Sequence, residues 1–341
     1  MKNLIILTLI ITTLISCSKQ DTEFNSSSTS IKGNWLVDIN YIIHFDSEKD
    51  PINSIDKPEF DFINYSDLND NDEILAYYYN GIVHIYPISV LDVHEIVNDS
   101  IDDHYFVVSH CPLTNSSLAW SRKINESITS FGVSGKLYKE NLILYDRKTG
   151  SHWSQMLSKC INGDHIGYLA KTRPLLKTTF STIKLFFPYA LVLKHENCDD
   201  SGCIVGLKSK NDEPEDSSDS EIVEYERYFG VVDNDRATLF PLSHIDDKIS
   251  IEHFVVFQNK LVKITSKELS INLVFNAENK SFTPINDSLP VIMKDNEGNQ
   301  YNLFGVVVSG DNLGYRLTSP TSYYAHTFAW KTIFNGIEII E

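Results

Sequence analysis

The dipeptide Asn80-Gly81 stands between two runs of β-forming residues, Ile74-Leu-Ala-Tyr-Tyr-Tyr79 and Ile82-Val-His-Ile-Tyr86, and this pattern commits the chain to antiparallel hairpins. Asparagine and glycine both accept the left-handed backbone that a two-residue hairpin turn needs, and the aromatic and β-branched residues on either side suit a pleated, partly buried surface. Further short runs follow at 105–109, 117–121, 130–133 and 141–145, the last ending in the polar turn Asp146-Arg-Lys-Thr-Gly150. Such spacing predicts antiparallel sheets closed into a barrel or packed as a sandwich. One segment departs from it: Leu176, Phe180, Ile183 and Phe187 recur at helical spacing, Thr172 can cap, Pro174 suits a first turn and Pro188 stops the helix.

The second half then repeats the first in the same order. Asn80-Gly-Ile-Val-His-Ile-Tyr-Pro87 has its counterpart in Asp233-Asn-Asp-Arg-Ala-Thr-Leu-Phe-Pro241, Phe106-Val-Val108 in Phe254-Val-Val256, and Gly163-Asp-His-Ile-Gly-Tyr168 in Gly310-Asp-Asn-Leu-Gly-Tyr315. Asp146 to Gly150 matches Asp295-Asn-Glu-Gly298 with one residue lost, and the helical run recurs as Tyr324, Phe328, Trp330 and Phe334, with Gly336 standing where Pro188 stands. Matches in one order predict an internal duplication. The expectation is a mainly β chain of two tandem, diverged copies of a barrel- or sandwich-like unit, each with one short helix near its C-terminal end. The first copy spans 31–193 and the second 229–341, joined by an acidic, serine-rich connection at 194–228.

Ahead of both lies an address. Lys2, an apolar run from Leu4 to Ile15, and Leu14-Ile-Ser-Cys17 follow the order of a bacterial lipoprotein leader, so residues 1–16 are expected to be removed and Cys17 to carry the lipid. The run falls short of the roughly 20 residues that cross a bilayer as a helix. Residues 17–30 are polar and rich in Ser and Thr and read as a flexible tether. The predicted location is the cell envelope, anchored to a membrane by lipid, with Ser18 suiting the outer membrane. The formal net charge is −17 and no Lys/Arg cluster offsets it, which argues against nucleic acid as a partner. Much of that charge falls at 212–226, where acidic residues mix with serines around Pro214 without calcium-loop spacing. An exported chain meets an oxidising compartment. Cys198-Asp-Asp-Ser-Gly-Cys203 has turn residues between its sulfurs and is expected to be bridged, a link worth about 2 kcal/mol over so short a loop. Cys111 and Cys160 can form a second pair, although spacing leaves that open.

Three strings are more than strand filler: Val93-His-Glu-Ile-Val-Asn-Asp99, His110-Cys-Pro-Leu-Thr114 with its continuation to Trp120, and Phe131-Gly-Val-Ser-Gly-Lys136 running on through Tyr145-Asp-Arg-Lys-Thr-Gly-Ser-His-Trp-Ser-Gln155. With Asp50-Pro-Ile52 and Lys57-Pro-Glu-Phe60 they resemble the bacterial and archaeal family catalogued as domain of unknown function 3179 (DUF3179). The resemblance reaches the C-terminus and implies kinship without a chemistry. It also marks two departures: members often have tyrosine where His110 stands and a second cysteine where Thr114 stands. Cys111-Pro-Leu-Thr114 is therefore half of a C-x-x-C and lacks the sulfur that resolves a redox couple.

Read by chemistry, His94-Glu95 with Asn98-Asp99 offers a general base or ligands, and Cys111 a nucleophile or ligand. Asp146-Arg147 and Ser151-His-Trp-Ser-Gln155 make the densest polar and aromatic cluster. Arg147 can hold a carboxylate or phosphate bidentately, and Trp153 can face a ring or sugar. A hairpin whose Asp146 caps the Thr149-Gly150 turn accounts for the same letters with no ligand. His84, His94, His104, His110 and His152 match no metal motif, so no metal is assigned. The second half has Tyr301-Asn302 at the corresponding turn and lacks the Arg, His and Trp, so a site belongs to the first half. His94, Glu95, Asp99, Cys111, Asp146, Arg147, His152 and Trp153 are the candidate ligand-binding residues, expected to gather at one rim of the fold. No G-x-S-x-G, phosphate loop, dinucleotide fingerprint or H-E-x-x-H is present. The expected function is a lipid-anchored module that binds a small-molecule or protein ligand through the first copy. The alternative is a thiol- or metal-dependent enzyme, or a metal-handling protein, using Cys111 with His94, Glu95 or His152.

Overall fold

The computed structural model describes residues 34–44, 49–194, 225–243, 245–277 and 279–340; Cys17 with the leader and tether, the Cys198–Cys203 pair and residues 212–224 of the acidic connection lie outside the described residues. The Asn80-Gly81 turn forms as its residues dictate. Both have positive φ, 49° and 85°, and Glu73–Tyr79 pairs with Ile82–Pro87, Tyr79 opposite Ile82. This hairpin centres a five-stranded sheet in the order Leu176–Thr179, Glu73–Tyr79, Ile82–Pro87, Leu191–Leu193, Phe60–Phe62. Its neighbours are antiparallel except Ile82–Pro87 and Leu191–Leu193. A parallel return needs a crossover, and the helix Phe180–Phe186 lies in the segment that supplies it.

In the second half, Thr321–His326, Arg227–Asp233, Arg236–Pro241 and Gly336–Ile339 form a sheet with the order and directions of the first four strands above. A short helix, Thr327–Ile333, again precedes the parallel strand. Three antiparallel strands follow each hairpin: Ile96–Ile101, His104–Cys111 and Ser116–Ser121 in the first half, with Thr172–Arg173 added at the edge, and Ser250–Val256, Asn259–Ser266 and Ile271–Asn276 in the second. A meander comes next in each half. The first runs Phe131–Tyr138, Asn141–Asp146, His152–Ser154, Lys159–Asn162, with Ile42–His44 on its edge; the second runs Phe282–Pro284, Met293–Asp295, Gln300–Tyr301, Val307–Ser309. The fold is mainly β, and among the described residues no sheet closes on itself, which corrects the barrel form of the expectation.

Strand alternation explains the core. Ile74 and Ala76 face one side and Leu75 and Tyr77 the other, and both sides are buried. The first pair packs in one core with Val262, Ile264, Ile271 and Leu317 of the second half; the second pair packs with Val97, Phe106 and Val108. Another core joins Trp120, Phe131 and Trp153 to Ala237, Tyr323 and Trp330. The halves therefore share two cores rather than standing apart.

Several elements differ from the sequence reading. Leu176–Thr179 is a strand paired with Glu73–Ala76, and the helix begins only at Phe180; an inward strand residue, Leu176, happens to continue the spacing of the buried helix residues Phe180 and Ile183. Tyr324 likewise belongs to the strand Thr321–His326, and Gly336 opens a strand rather than ending the helix. An additional helix, Ile88–His94, lies in the first half. Phe106–Val108 sits on the middle strand of its three and Phe254–Val256 on an outer one, so those two strings do not correspond in sheet order.

Candidate functional site

Arg147 follows the strand Asn141–Asp146 and faces the segment 49–56, which crosses the sheets as a strap. Its Nη1 donates to both Asp56 carboxylate oxygens at 2.8 Å, and its Nη2 to Asp50 Oδ1 at 3.0 Å and Ser54 Oγ at 2.8 Å. The Tyr145 hydroxyl donates to Asp50, and Asn98 Nδ2 to Asp56 Oδ1 at 2.7 Å. The strap's backbone adds Ile55 N to Ile96 O at 2.9 Å and Asn98 N to Ile55 O at 2.8 Å. His94 Nδ1 lies 2.8 Å from Asn53 O, so Arg147 and His94 hold one strap. Gly132 permits the close approach, because a Cβ there collides with Asp50 and lies 2.7 Å from the Tyr145 ring. Burial works against the Arg147 charge, but hydrogen bonds to Asp56, Tyr145 and Asp50 outweigh it and raise its pKa. The fork that the sequence offers to a ligand is taken up by the chain's own carboxylates.

Asp146 is fully buried and caps its turn, accepting from Thr149 N at 2.8 Å, Thr149 Oγ1 at 2.8 Å and Trp153 Nε1 at 3.1 Å. Trp153 is fully buried too, with the Phe131 and Tyr168 ring centroids 5.8 and 5.9 Å away, so its faces meet protein. Asp99 lies apart from this turn. It accepts from His84 Nδ1 at 2.7 Å, the Tyr86 hydroxyl at 2.6 Å and Ser100 N at 2.6 Å, while the Phe60 ring covers His84 at 4.0 Å. A buried carboxylate needs such donors, and these three satisfy it.

Glu95 and Cys111 meet at the end of the strand His104–Cys111. Glu95 closes the helix Ile88–His94 with φ 56°, an uncommon conformation for a side chain of its size, and its carbonyl accepts from His110 N at 2.8 Å. Burial pushes its carboxyl up to about 7. Cys111 is 2% exposed, with Sγ 3.6 Å from Glu140 O, and burial and then the Glu95 charge push its thiol above the ordinary range. A thiol kept protonated and enclosed is a poor nucleophile. His110 contacts Ser117 Oγ at 2.8 Å and Asp92 Oδ1 at 3.1 Å, and burial lowers its pKa. Gln155 belongs to a closed network, its Oε1 accepting from Ser116 Oγ at 2.7 Å and Asn141 Nδ2 at 2.8 Å. Cys111 and Cys160 are free thiols, and burial pushes Cys160 up to about 11.

A cavity of about 830 Å³ opens elsewhere in the first half, between the segment Trp35–Tyr41, the hairpin residues Tyr138 and Lys139, and the strand Lys159–Asn162. Asn234, Asp235, Ile333 and Asn335 of the second half form its far rim. Lys139 Nζ lies 5.2 and 5.3 Å from the Tyr41 and Tyr138 ring centroids. His152 reaches this wall: its ring centroid is 5.3 Å from that of Trp35, and its Nδ1 is 3.2 Å from Asn162 Oδ1. His152 Nε2 is buried without a hydrogen-bond partner among the described residues, and burial, then Lys136, lower its pKa to about 4. The eight candidates thus fall into separate groups. Arg147 and His94 share the strap, Asp146 and Trp153 share a turn, Glu95 adjoins Cys111, Asp99 joins His84, and His152 backs the cavity. Sequence reasoning passed over the cavity residues themselves. Trp35-Leu-Val37, an apolar run that begins five residues past the end of the polar tether, is the signal that marks that wall. Among the described residues no three His, Cys, Asp or Glu side chains gather closely enough to hold a metal ion.

Fold and site together define a mainly β protein of several open sheets with a roomy cavity of mixed polarity beside Trp35. The model of a family described as a protein of unknown function, DUF3179, matches residues 49–336, and the chain belongs to that family. No curated protein and no solved structure matches it. The segment Trp35–Tyr41 precedes the matched residues, so this wall of the cavity is formed outside the family region. No helix among the described residues is long and apolar enough to cross a membrane.

Proposed function

We propose that this chain is an exported, lipid-anchored binding protein whose small-molecule ligand occupies the cavity beside Trp35. The observation that carries the reading is a space of about 830 Å³, the size of a small-ligand site, where aromatic rings and charges of both signs converge. Asp38 and Asp235 bring carboxylates, and Lys139 and Lys159 bring ammonium groups, to one space. Such a lining suits a polar ligand of low net charge rather than an ion of one sign or nucleic acid. The buried, protonated Cys111 gives the thiol-enzyme reading no support.

The second half serves as a supporting, diverged copy of the first. Identical strand order and direction in the two hairpin sheets, each with its helix before the parallel strand, support the duplication. Leu14-Ile-Ser-Cys17 supports the anchor and Ser18 an outer-membrane location, and Cys17→Ala is expected to release the protein from the membrane fraction. Binding is tested by thermal melting against panels of saccharides, amino acids and nucleosides. At least one class is expected to raise the melting point, and Leu169→Trp, which fills the cavity, is expected to abolish that response. A panel without effect, or a filled variant that responds like the parent, contradicts the reading.

A further inference from the structure

Two arginines lie where the halves meet, and neither has a counter-ion among the described residues. Arg173 ends the strand Thr172–Arg173 opposite Ala119, and strand register places it on the face of Ala119 and Val108. Arg316 arrives from the second half. Its Nε donates to Phe304 O and its Nη1 to Tyr78 O, both at 3.1 Å, with the guanidinium 5.3 Å from the Tyr78 ring centroid. That leaves Arg316 Nη2 and Arg173 Nε buried with no acceptor among the described residues. The ion-paired arginines among the described residues are Arg147 and Arg227.

Both arginines are half-buried, and a buried N–H without an acceptor destabilises a fold even where the rest of the guanidinium reaches solvent. Carboxylates are not scarce, since 46 Asp and Glu face 29 Lys and Arg in the chain. Yet the groups that act on Arg316 are Tyr77, Tyr78 and Arg173, none of them a carboxylate, while Asp103 acts on the neighbouring His104. The Tyr77 hydroxyl lies 2.8 Å from His104 Nε2, and the His104 ring stacks on Tyr79 at 3.9 Å. Burial, then the positive charge of Arg173, lowers the His104 pKa; burial lowers that of Arg316, and Arg173 adds to the effect. Two small cavities of about 40 and 30 Å³ share walls at Pro174, Leu175, Ser319 and Ser322; Arg316 lines one and Arg173 the other. Spaces of that size admit an acid group rather than a whole ligand.

We propose that Arg173 and Arg316 form an oxyanion-binding site at the junction of the halves, receiving a phosphate, sulfate or carboxylate group. One guanidinium comes from each half, so the bound anion also fastens the halves together. The site is independent of the cavity beside Trp35.

The test is a melting curve of the exported chain at constant ionic strength, with sodium chloride exchanged for phosphate, sulfate or acetate, on the parent and on Arg173→Gln. Arg173 makes no side-chain hydrogen bond to the described residues, so this variant is expected to fold; Arg316→Gln is the second variant. At least one oxyanion is expected to raise the parent's melting point saturably, and each variant to weaken its apparent affinity by about tenfold or more. In chloride alone, Arg173→Gln is expected to melt close to the parent, because Arg173 is only half-buried and makes no side-chain hydrogen bond to the described residues. The ranking of the three anions identifies the acid group. If none of them moves the parent beyond chloride, or if both variants respond as the parent does, the two arginines are hydrated structural residues and the proposal is overturned.

Discussion

Asp146 and Asp295 each sit buried at a strand end, and each accepts a hydrogen bond from an aromatic residue in the following strand: Trp153 Nε1 at 3.1 Å in the first half, the Tyr301 hydroxyl at 2.6 Å in the second. Beyond each turn the chain folds back on glycine in the left-handed region, Gly163 with φ 100° and Gly310 with φ 118°. A Cβ on either lies 2.7 or 2.8 Å from the Cα of Ser151 or Asn299. The backbone requirement is the same and the charge balance is not. Lys280 lies 2.9 Å from Asp295 and neutralises it locally, whereas Arg147 beside Asp146 turns outward to Asp50 and Asp56 and fixes the strap. The comparison teaches that one backbone turn tolerates different polar wiring, and that an unusual cluster of polar letters at a turn need not mark a ligand.

The largest expected effect comes from the aromatic residue of each turn. Trp153→Ala and Tyr301→Ala are each expected to cost about 3–5 kcal/mol in urea unfolding, the range for emptying a buried aromatic site. A cost below about 1 kcal/mol in one half alone breaks the equivalence of the turns. Asp146→Asn and Asp295→Asn are expected to cost less, about 1–3 kcal/mol, by turning an acceptor into a donor among donors. The Asp295 change is the larger of the two because it removes one of the two carboxylates that Lys280 pairs with and leaves only Glu297. Equal losses, measured in the same unfolding experiment, place Lys280 outside the balance.

A smaller effect, confined to one side of the pH scale, separates the halves. Glu95 has its carboxyl raised from 4.5 to about 7 by burial, so the folded state holds that proton more tightly than the unfolded chain. Its contribution is fully present below the ordinary value and is lost as pH rises through about 7. Glu95→Gln is therefore expected to match the parent's melting point near pH 4.5 and exceed it above pH 7. Curves that stay parallel across that interval refute the burial of this carboxyl.

Local chemistry was legible in the sequence, and long-range partners were not. Asn80-Gly81 specified its hairpin because both residues carry the positive φ themselves. Asp146 with Thr149 was legible as a turn for the same local reason. Arg147 was not, since its partners Asp50 and Asp56 lie 97 and 91 residues away in the chain. The stretch from Leu176 was misread because burial on a strand and burial on the helix that follows it produce one continuous apolar spacing. The cavity has no motif at all: its walls come from the segments near Trp35, Tyr138, Lys159 and Asn335, each ordinary alone. Arg173 and Arg316 gave no signal either, because what distinguishes them is that no carboxylate among the described residues pairs with them in space.

Tryptophan emission tests most directly whether the first half binds a ligand beside Trp35. The chain has 4 tryptophans, and Trp120, Trp153 and Trp330 are fully buried, which leaves Trp35 on the cavity wall as the responsive one. A ligand seated there predicts a saturable emission change in the parent on titration with the compound that raises its melting point, and loss of that change in Trp35→Phe. An equal change in Trp35→Phe, or none in the parent, contradicts a ligand in this cavity.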